Sequence, residues 1–264
     1  MGATNNPRGP RPKPEEDEAS PNTPTTTTTT TTTPNTTTTT ATTNTLPPPV
    51  PQKHHHQATA DPLAHFLAIP WTARLLTDPA AFGIVVSDRR PLASGDKQFV
   101  RSVLSSATTV RACVTFFLRL PPQGAEKKGV VPVSKSRALL QGGGPRDGED
   151  PERPFLLFNA LLDLGEDLCG HKGTMHGGAL GVLLDETMCA AADNQTQYAF
   201  TATMHTSFLR PVRLPGPVIV RSRVVRRERR KIYVRGTIED SEGNIMTESE
   251  AMVVDKTPNK SAKL

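Results

Sequence analysis

The sequence is poor in aromatic residues, in cysteine and in long apolar runs. Aromatic side chains make up 5% of the 264 residues, and the chain has one Trp and three Cys. An odd number of cysteines without a framework spacing argues against a disulfide scaffold and predicts free thiols in a reducing compartment. No apolar stretch is long enough for a secretory signal or a bilayer span, so the sequence predicts neither.

The N-terminal region bears on where the protein works. It contains the acidic run Glu15–Glu18, whereas mitochondrial transit peptides are poor in acidic residues. We therefore expect a cytoplasmic protein, with a mitochondrial location as the open alternative.

The first sixty residues differ in composition from the rest. They consist mainly of Pro, Thr, Asn and charged residues, with a nearly unbroken Thr run from Thr25 to Thr43. Such a segment cannot bury enough apolar surface to offset the entropy lost on ordering. The predicted organisation is a disordered tail at 1–60, a helical extension at 61–107, a folded domain at 108–254 with a flexible Gly-rich insertion at 124–153, and a tail at 255–264.

The stretch His176–Ala192 is the most informative part of the chain. It starts with His-Gly-Gly and continues as an apolar helical segment whose only charges are Asp185 and Glu186. A helix that is apolar on every side is a buried helix. Buried carboxylates cost several kcal/mol unless they are paired, hydrogen-bonded or neutral. The acidic pair therefore predicts a functional role for this helix.

Residue patterns around that helix predict strands and short helices. Asp61 and Asp96 are candidate N-caps, and Pro62 suits a first helical position. The predicted helices are Leu63–Ala68, Trp71–Leu76 and Asp96–Ala107; the predicted strands are Thr108–Leu120, Phe155–Leu164, Phe200–Leu209, Val218–Arg227, Lys231–Glu239 and Ile245–Val254. This order indicates an α+β domain in which a mostly antiparallel sheet wraps around one buried central helix.

The order and spacing of these motifs resemble those of the hotdog-fold acyl-CoA thioesterases, in the branch with His-Gly-Gly before the central helix. The matching residues are Gly173–Gly178, Leu183–Glu186, Phe208–Val212, Val224–Arg227, Ile238–Gly243 and Ala251–Val253. The resemblance covers roughly Thr108–Val254, and Phe66–Trp71 is similar to the N-terminal extension of fungal members. It implies the hotdog fold, hydrolysis of acyl-CoA or carrier-bound thioesters, no cofactor, and a homodimer or dimer of dimers.

The resemblance also implies roles for single residues. Gly177 would donate its N–H to the thioester carbonyl beside His176, Asp185 of the partner subunit would act as base or nucleophile, and Thr201 would orient the water. Gly178 allows close approach of the substrate to the helix start. One position departs from the family: Gly170 stands where several relatives have Asn, and the adjacent His171 is a candidate substitute.

A basic cluster follows these motifs. The chain has a net charge of +5, and seven cationic side chains lie between Arg221 and Lys231. Arg226, Arg227 and Arg230 are candidates for binding the CoA phosphates, although a solvated hairpin face explains the cluster equally. With little aromatic interleaving, nucleic-acid binding is not expected.

Other functions remain in competition. A hotdog dimer that binds acyl-CoA without hydrolysing it is the main alternative, because the Asn position is lost. A hotdog dehydratase is a second alternative, although Asp167 and His171 are one residue short of that spacing. A Ser hydrolase lacks its Gly-x-Ser-x-Gly motif, and the spacing of Cys169, His171 and His176 does not fit a zinc site, so no metal is expected.

Overall fold

A computed structural model of the protein describes residues 55–120, 134–136, 139 and 147–257. The predicted Thr-rich tail lies outside the described residues except for 55–60, as do most of the Gly-rich insertion and residues 258–264.

Most of the described strands form one antiparallel sheet. The strands are β1 Ala81–Val86, β2 Val110–Leu118, β3 Leu157–Leu164, β4 Cys169–His171, β5 Thr174–Met175, β6 Ala199–Phe208, β7 Gly216–Glu228, β8 Lys231–Glu239 and β9 Ile245–Asp255. Seven of them are hydrogen-bonded in the order β1-β2-β3-β7-β8-β9-β6, and β4 and β5 form a separate hairpin. All of the neighbouring pairs are antiparallel.

One long helix lies on one face of this sheet. The described helices are α1 Pro62–Leu67, α2 Pro70–Leu76 and α3 Gly177–Asp193. Helix α3 buries Leu180, Leu184 and Met188 against the sheet. A Cβ atom at Gly236 would lie 3.0 Å from Met188 and 3.1 Å from Leu184, so the close packing of helix and sheet depends on this glycine. The architecture is the predicted α+β hotdog fold.

The opposite face of the sheet is covered as well. Phe66 of α1 and Leu75 of α2 pack there against buried residues such as Phe116 and Leu161. Strand β3 is buried at every position, as expected for a strand covered on both faces. The covered face also contains Arg221, which is fully buried and donates hydrogen bonds to Glu239 (3.1 Å) and Asn159 (2.7 Å).

The region before the domain differs from the prediction in three ways. The extension predicted as helical contains a strand besides α1 and α2, because β1 pairs with β2 at the edge of the sheet. The predicted helix Asp96–Ala107 is only a π-helical turn, Phe99–Val103, which starts after Gln98. Order begins before residue 61, since Gln57 exchanges hydrogen bonds with the backbone of Cys113 on β2.

The described part of the insertion contacts the domain. Ser134 donates a hydrogen bond to Glu239 (2.7 Å), and the Lys135 N–H donates to the carbonyl of Gly243 (3.1 Å). Leu139 is 1% exposed and joins the cluster of Phe66 and Leu161. These residues therefore help to close the face of the sheet opposite α3.

Candidate active site

The first candidate residues form the start of α3. His176 is the N-cap residue, and its Nδ1 atom accepts a hydrogen bond from the Gly178 N–H (2.9 Å). The carbonyl of His176 accepts from Leu180, which begins the helical hydrogen-bond pattern. The Gly177 N–H has no partner among the described residues. It therefore remains available, at the positive end of the helix dipole, to an oxygen atom of a ligand.

The short hairpin of β4 and β5 holds this helix start in place. The His176 N–H donates to the carbonyl of Leu168 (2.8 Å), and Met175 donates to Val212 (3.0 Å). A Cβ atom at Gly170 would lie 3.0 Å from the ring of His176. The side chain of His176 therefore occupies the space beside position 170, and any larger residue there would require the ring to move. His171 is exposed on β4.

The other candidate residues lie in the middle of the same helix. Thr201 donates a hydrogen bond from its Oγ1 atom to Oδ1 of Asp185 at 2.6 Å. Thr201 precedes an irregularity in the pairing of β6 with β9, and such bulges commonly redirect a side chain. Cys189, one helical turn after Asp185, lies 3.3 Å from Thr201 through its Sγ atom. Cys189 is not among the residues predicted for the site, although its i+4 spacing from Asp185 was a usable signal.

The two groups of residues are separated within one chain. Gly177 and Asp185 are eight positions apart on α3, which corresponds to about 12 Å along the helix axis. The structure therefore brings together Asp185 and Thr201, and separately His176, Gly177 and Gly178. A single thioester group bound to one protomer cannot contact both of these groups of residues.

The region that contains these motifs matches a family model. The family model of the Thioesterase superfamily matches residues 172–247, which include the His-Gly-Gly start of α3 and both Asp185 and Thr201. This part of the chain is therefore similar to the thioesterase superfamily. Gly170 and His171 lie just before the matched region.

Individual known proteins are similar to this chain over part of their length. The acyl-coenzyme A thioesterase THEM4 of Mus musculus is 32% identical over 104 residues, covering 38% of this chain and 44% of that protein. THEM4 of Rattus norvegicus is 31% identical over 103 residues, with the same coverage of 38% and 44%. This chain thus spans less than half the length of the curated relatives it matches. One solved thioesterase superfamily protein is 25% identical with a TM-score of 0.36, covering 42% of this chain and 60% of that one.

Glu186 has different surroundings from Asp185. It is partly buried, and one residue along a helix turns the side chain by about 100°. Burial raises the pKa of Glu186 above its ordinary value, and the positive charge of Lys97 partly opposes this. Glu186 faces a cavity between α3 and strands β2 and β3, and no ion pair holds it within the described residues.

The candidate phosphate-binding arginines lie near the other end of α3. Arg227 donates to the carbonyl of Gln195 (2.7 Å), just after α3, and to the carboxylate of Asp255 (3.2 Å). Arg230 donates to the carbonyl of Asp255 (2.7 Å). Arg226 stacks over the ring of Tyr233, with its guanidinium carbon 3.9 Å from the ring centre. These arginines do not reach the Gly177 end of their own protomer.

Neither a metal site nor a membrane-crossing helix is seen in the described part of the chain. There, no group of three or more His, Cys, Asp or Glu side chains is arranged to hold a metal ion. None of the described helices combines the length and the apolar character needed to cross a membrane.

Proposed function

We propose that this protein hydrolyses acyl-CoA or carrier-bound acyl thioesters to the free acid and thiol. Gly177 of one protomer polarises the carbonyl, and Asp185 of the partner subunit acts as base or nucleophile. The observation that carries the proposal is the 2.6 Å hydrogen bond from Thr201 to Asp185. It fixes one carboxylate on a helix that also begins with the free N–H of Gly177.

The proposal requires a dimer, and the edge strand β6 supplies a suitable surface. This strand is bonded to β9 on one side only, and it carries the exposed apolar residues Phe200, Met204 and Phe208. An unpaired, apolar edge strand tends to pair with another chain. A second copy of this protein placed there would cover β6 and approach the Asp185 side of α3. The two separated groups of one helix would then contribute to two different active sites.

The chemistry follows from the groups in that composite site. Water attacks the carbonyl carbon while Asp185 takes its proton, and the Gly177 N–H donates to the developing oxyanion. The tetrahedral intermediate then breaks its C–S bond, and the proton passes to the leaving thiolate. If Asp185 attacks directly, the C–S bond breaks, the thiolate leaves and takes up a proton from water, and the resulting acyl anhydride is hydrolysed by a second water. The Thr201 hydroxyl donates its hydrogen bond to Asp185, so its lone pairs can accept a hydrogen bond from the water.

Substrate binding would use groups around this centre. Gly178 adds no side chain at the helix start, so the acyl thioester can approach its backbone. His171 is exposed on the neighbouring hairpin and can contact the water or the thioester. Positive charge for the CoA phosphates would come from Arg226, Arg227 and Arg230. Because these arginines lie far from Gly177 of the same protomer, they would bind the CoA at the site of another subunit.

The main test compares Asp185→Asn with the wild type on a panel of acyl-CoA esters, with detection of the released thiol. We expect kcat to fall by about 10²–10⁴, the usual contribution of a general base. Asp193→Asn is the matched control, because it removes a carboxylate from the same helix. Equal activity of the Asp185 variant and the wild type would remove Asp185 from the mechanism.

A second test addresses the shared site. Asp185→Asn and Gly177→Pro are each expected to be nearly inactive, but a mixed dimer of the two contains one intact site. Mixing and reassembling the two variants should therefore restore a substantial fraction of activity. No recovery, with mixed dimers demonstrated by differential tagging, would contradict the cross-subunit arrangement.

The alternative is a dimer that binds acyl-CoA without hydrolysing it. It is favoured by Gly170, since this position lacks a water-binding amide and a larger residue there would require His176 to move. Tight binding of acyl-CoA by the wild type, with no thiol released from any ester, would favour this alternative. Water addition to an enoyl-CoA ester would favour a dehydratase.

A further inference from the structure

The cavity that Glu186 faces lies on the other side of α3 from Asp185. It has a volume of about 230 Å³ and lies between α3, strands β2 and β3, and the segment from Ser87 to Leu104. On α3 it is lined by Leu183, Glu186 and Ala190, whereas Asp185 and Cys189 face Thr201 on β6. The cavity is therefore distinct from the candidate active site of the same protomer.

The inner part of the cavity is apolar. Leu104, Phe158, Leu162 and Leu183 line it, and each of these side chains is at most 9% exposed. An apolar cavity of about 150 Å³ is large enough to bind benzene. The cavity in this protein is larger and can accept an aliphatic chain of roughly six to eight carbon atoms.

The outer part of the cavity contains an unsatisfied cation. Arg89 is 8% exposed, and its Nε atom is buried without a hydrogen-bond partner. Its Nη1 atom donates to the carbonyl of Val100 at 3.3 Å, which leaves much of the guanidinium free. A buried, charged donor without a partner is costly. An anionic acceptor in the cavity would satisfy it.

The remaining charges around Arg89 also favour an anion. Lys97 and Arg101 line the same cavity, so three cations face the two carboxylates Asp88 and Glu186. Asp88 is paired with Arg90 outside the cavity at 2.6 Å. Burial raises the pKa of Glu186, which weakens its repulsion of an anion. Lys97 lies 3.9 Å from Asp193 and is half exposed, so it can turn toward a ligand.

We propose that this cavity binds a free carboxylic acid with a short aliphatic chain, whose carboxylate pairs with Arg89 and whose chain enters between β2, β3 and α3. A carboxylate matches the planar guanidinium in two hydrogen bonds, which an ester or alcohol cannot form. The ligand is the acid itself, because an acyl-CoA thioester carries no charge at its carbonyl. The site does not depend on thioester hydrolysis.

Titration calorimetry of the full chain with octanoate tests the site. We expect the wild type to bind octanoate and Arg89→Met to bind at least tenfold more weakly. Octanol, which has the same chain without the charge, should also bind at least tenfold more weakly. Arg119→Met is the matched control, because it removes an exposed arginine that stacks over Phe82 and does not line the cavity. Its octanoate affinity should equal that of the wild type.

A second variant keeps the test valid if Arg89→Met fails to fold. Ala190→Leu adds bulk to the cavity wall from a half-buried position on α3 and should also reduce octanoate affinity at least tenfold. Octanoate bound at the candidate active site as a reaction product would be insensitive to both variants. Equal affinity in wild type and variants, equal affinity for octanol, or no octanoate binding would each overturn the proposal.

Discussion

The free N–H of Gly177 can be removed without changing the helix that carries it. Proline has no N–H and is well tolerated at the first position of a helix, which is where Gly177 lies. The residue before a proline must be extended, and His176 already has φ −67 and ψ 133. Gly177→Pro should therefore fold normally and keep the cap of His176 on Gly178.

The expected loss follows from the role of that N–H. Removal of one donor to a developing oxyanion costs about 2.7–4 kcal/mol, or roughly 10²–10³ in kcat. Gly177→Ala is the matched control, since it adds a Cβ atom but keeps the N–H. That Cβ atom would lie 3.4 Å from the ring of Phe208, which is an ordinary van der Waals distance. The assay is thiol release from an acyl-CoA ester, with the melting temperature measured for each variant.

Two results would refute this reasoning. If Gly177→Pro kept kcat within about threefold of the wild type, the N–H would not stabilise the transition state. If Gly177→Ala lost as much activity as Gly177→Pro, the cause would be the added bulk. A melting temperature at or above that of the wild type is expected for Gly177→Pro, because proline reduces the entropy of the unfolded chain.

Three further predictions concern hydrogen bonds and charges. Thr201→Val removes the 2.6 Å hydrogen bond to Asp185 and should lower kcat about 10- to 100-fold, given roughly 1.5–3 kcal/mol for a hydrogen bond to a charged group. Thr201→Ser keeps the hydroxyl and should retain most of the wild-type activity. Equal rates for the two variants would contradict a role of the Thr201 hydroxyl. The folded-state pKa of Glu186 is raised above its ordinary value of 4.5, so protonated Glu186 stabilises the fold in acid and this stabilisation is lost as the pH rises through the folded-state pKa. Glu186→Gln should therefore have a higher melting temperature than the wild type at neutral pH, and this difference should vanish below pH 4.5. An equal difference in melting temperature at neutral pH and below pH 4.5 would be inconsistent with burial of Glu186 as its cause. Arg221→Met should cost about 3–5 kcal/mol in urea unfolding because it leaves Glu239 buried without its cation, and adding Glu239→Gln should recover part of that loss.

The sequence was most informative where one local pattern determined the structure. Strand β8 has the predicted bounds Lys231–Glu239, and the cap at His176 follows from a His-Gly-Gly before an apolar run.

The prediction of a helix at Asp96–Ala107 was wrong for a physical reason. Its apolar residues recur at helical spacing, but Phe99 is 52% exposed and Val103 is 55% exposed. The pattern predicted one buried helical face, but only part of it is covered in this protomer, since Leu104 is buried whereas Phe99 and Val103 are not.

Features that depend on distant segments were not predictable from local patterns. Strand β1 contains Gly83 in a left-handed conformation (φ 61) and is held by its pairing with β2. The partner of Asp185 is Thr201, sixteen positions away on another element. The unsatisfied Arg89 becomes apparent only when the segment before β2 is folded over α3. In each case the deciding contact joins residues that no helical or strand period relates.

The two neighbouring carboxylates of α3, Asp185 and Glu186, lie in different surroundings. A partly buried carboxylate must gain hydrogen bonds or opposite charge to remain ionised. Asp185 gains a short hydrogen bond from Thr201, which holds the oxygen in one position beside the edge strand β6. Glu186 has no such hydrogen bond within the described residues, and burial raises its pKa although the nearby charges of Lys97 and Arg89 oppose the rise. A fixed carboxylate suits a catalytic base, whereas a carboxyl group without a fixed partner can adjust to an anion beside Arg89. The two sides of α3 therefore support two separate sites, and the Asp185→Asn and Arg89→Met variants test them independently.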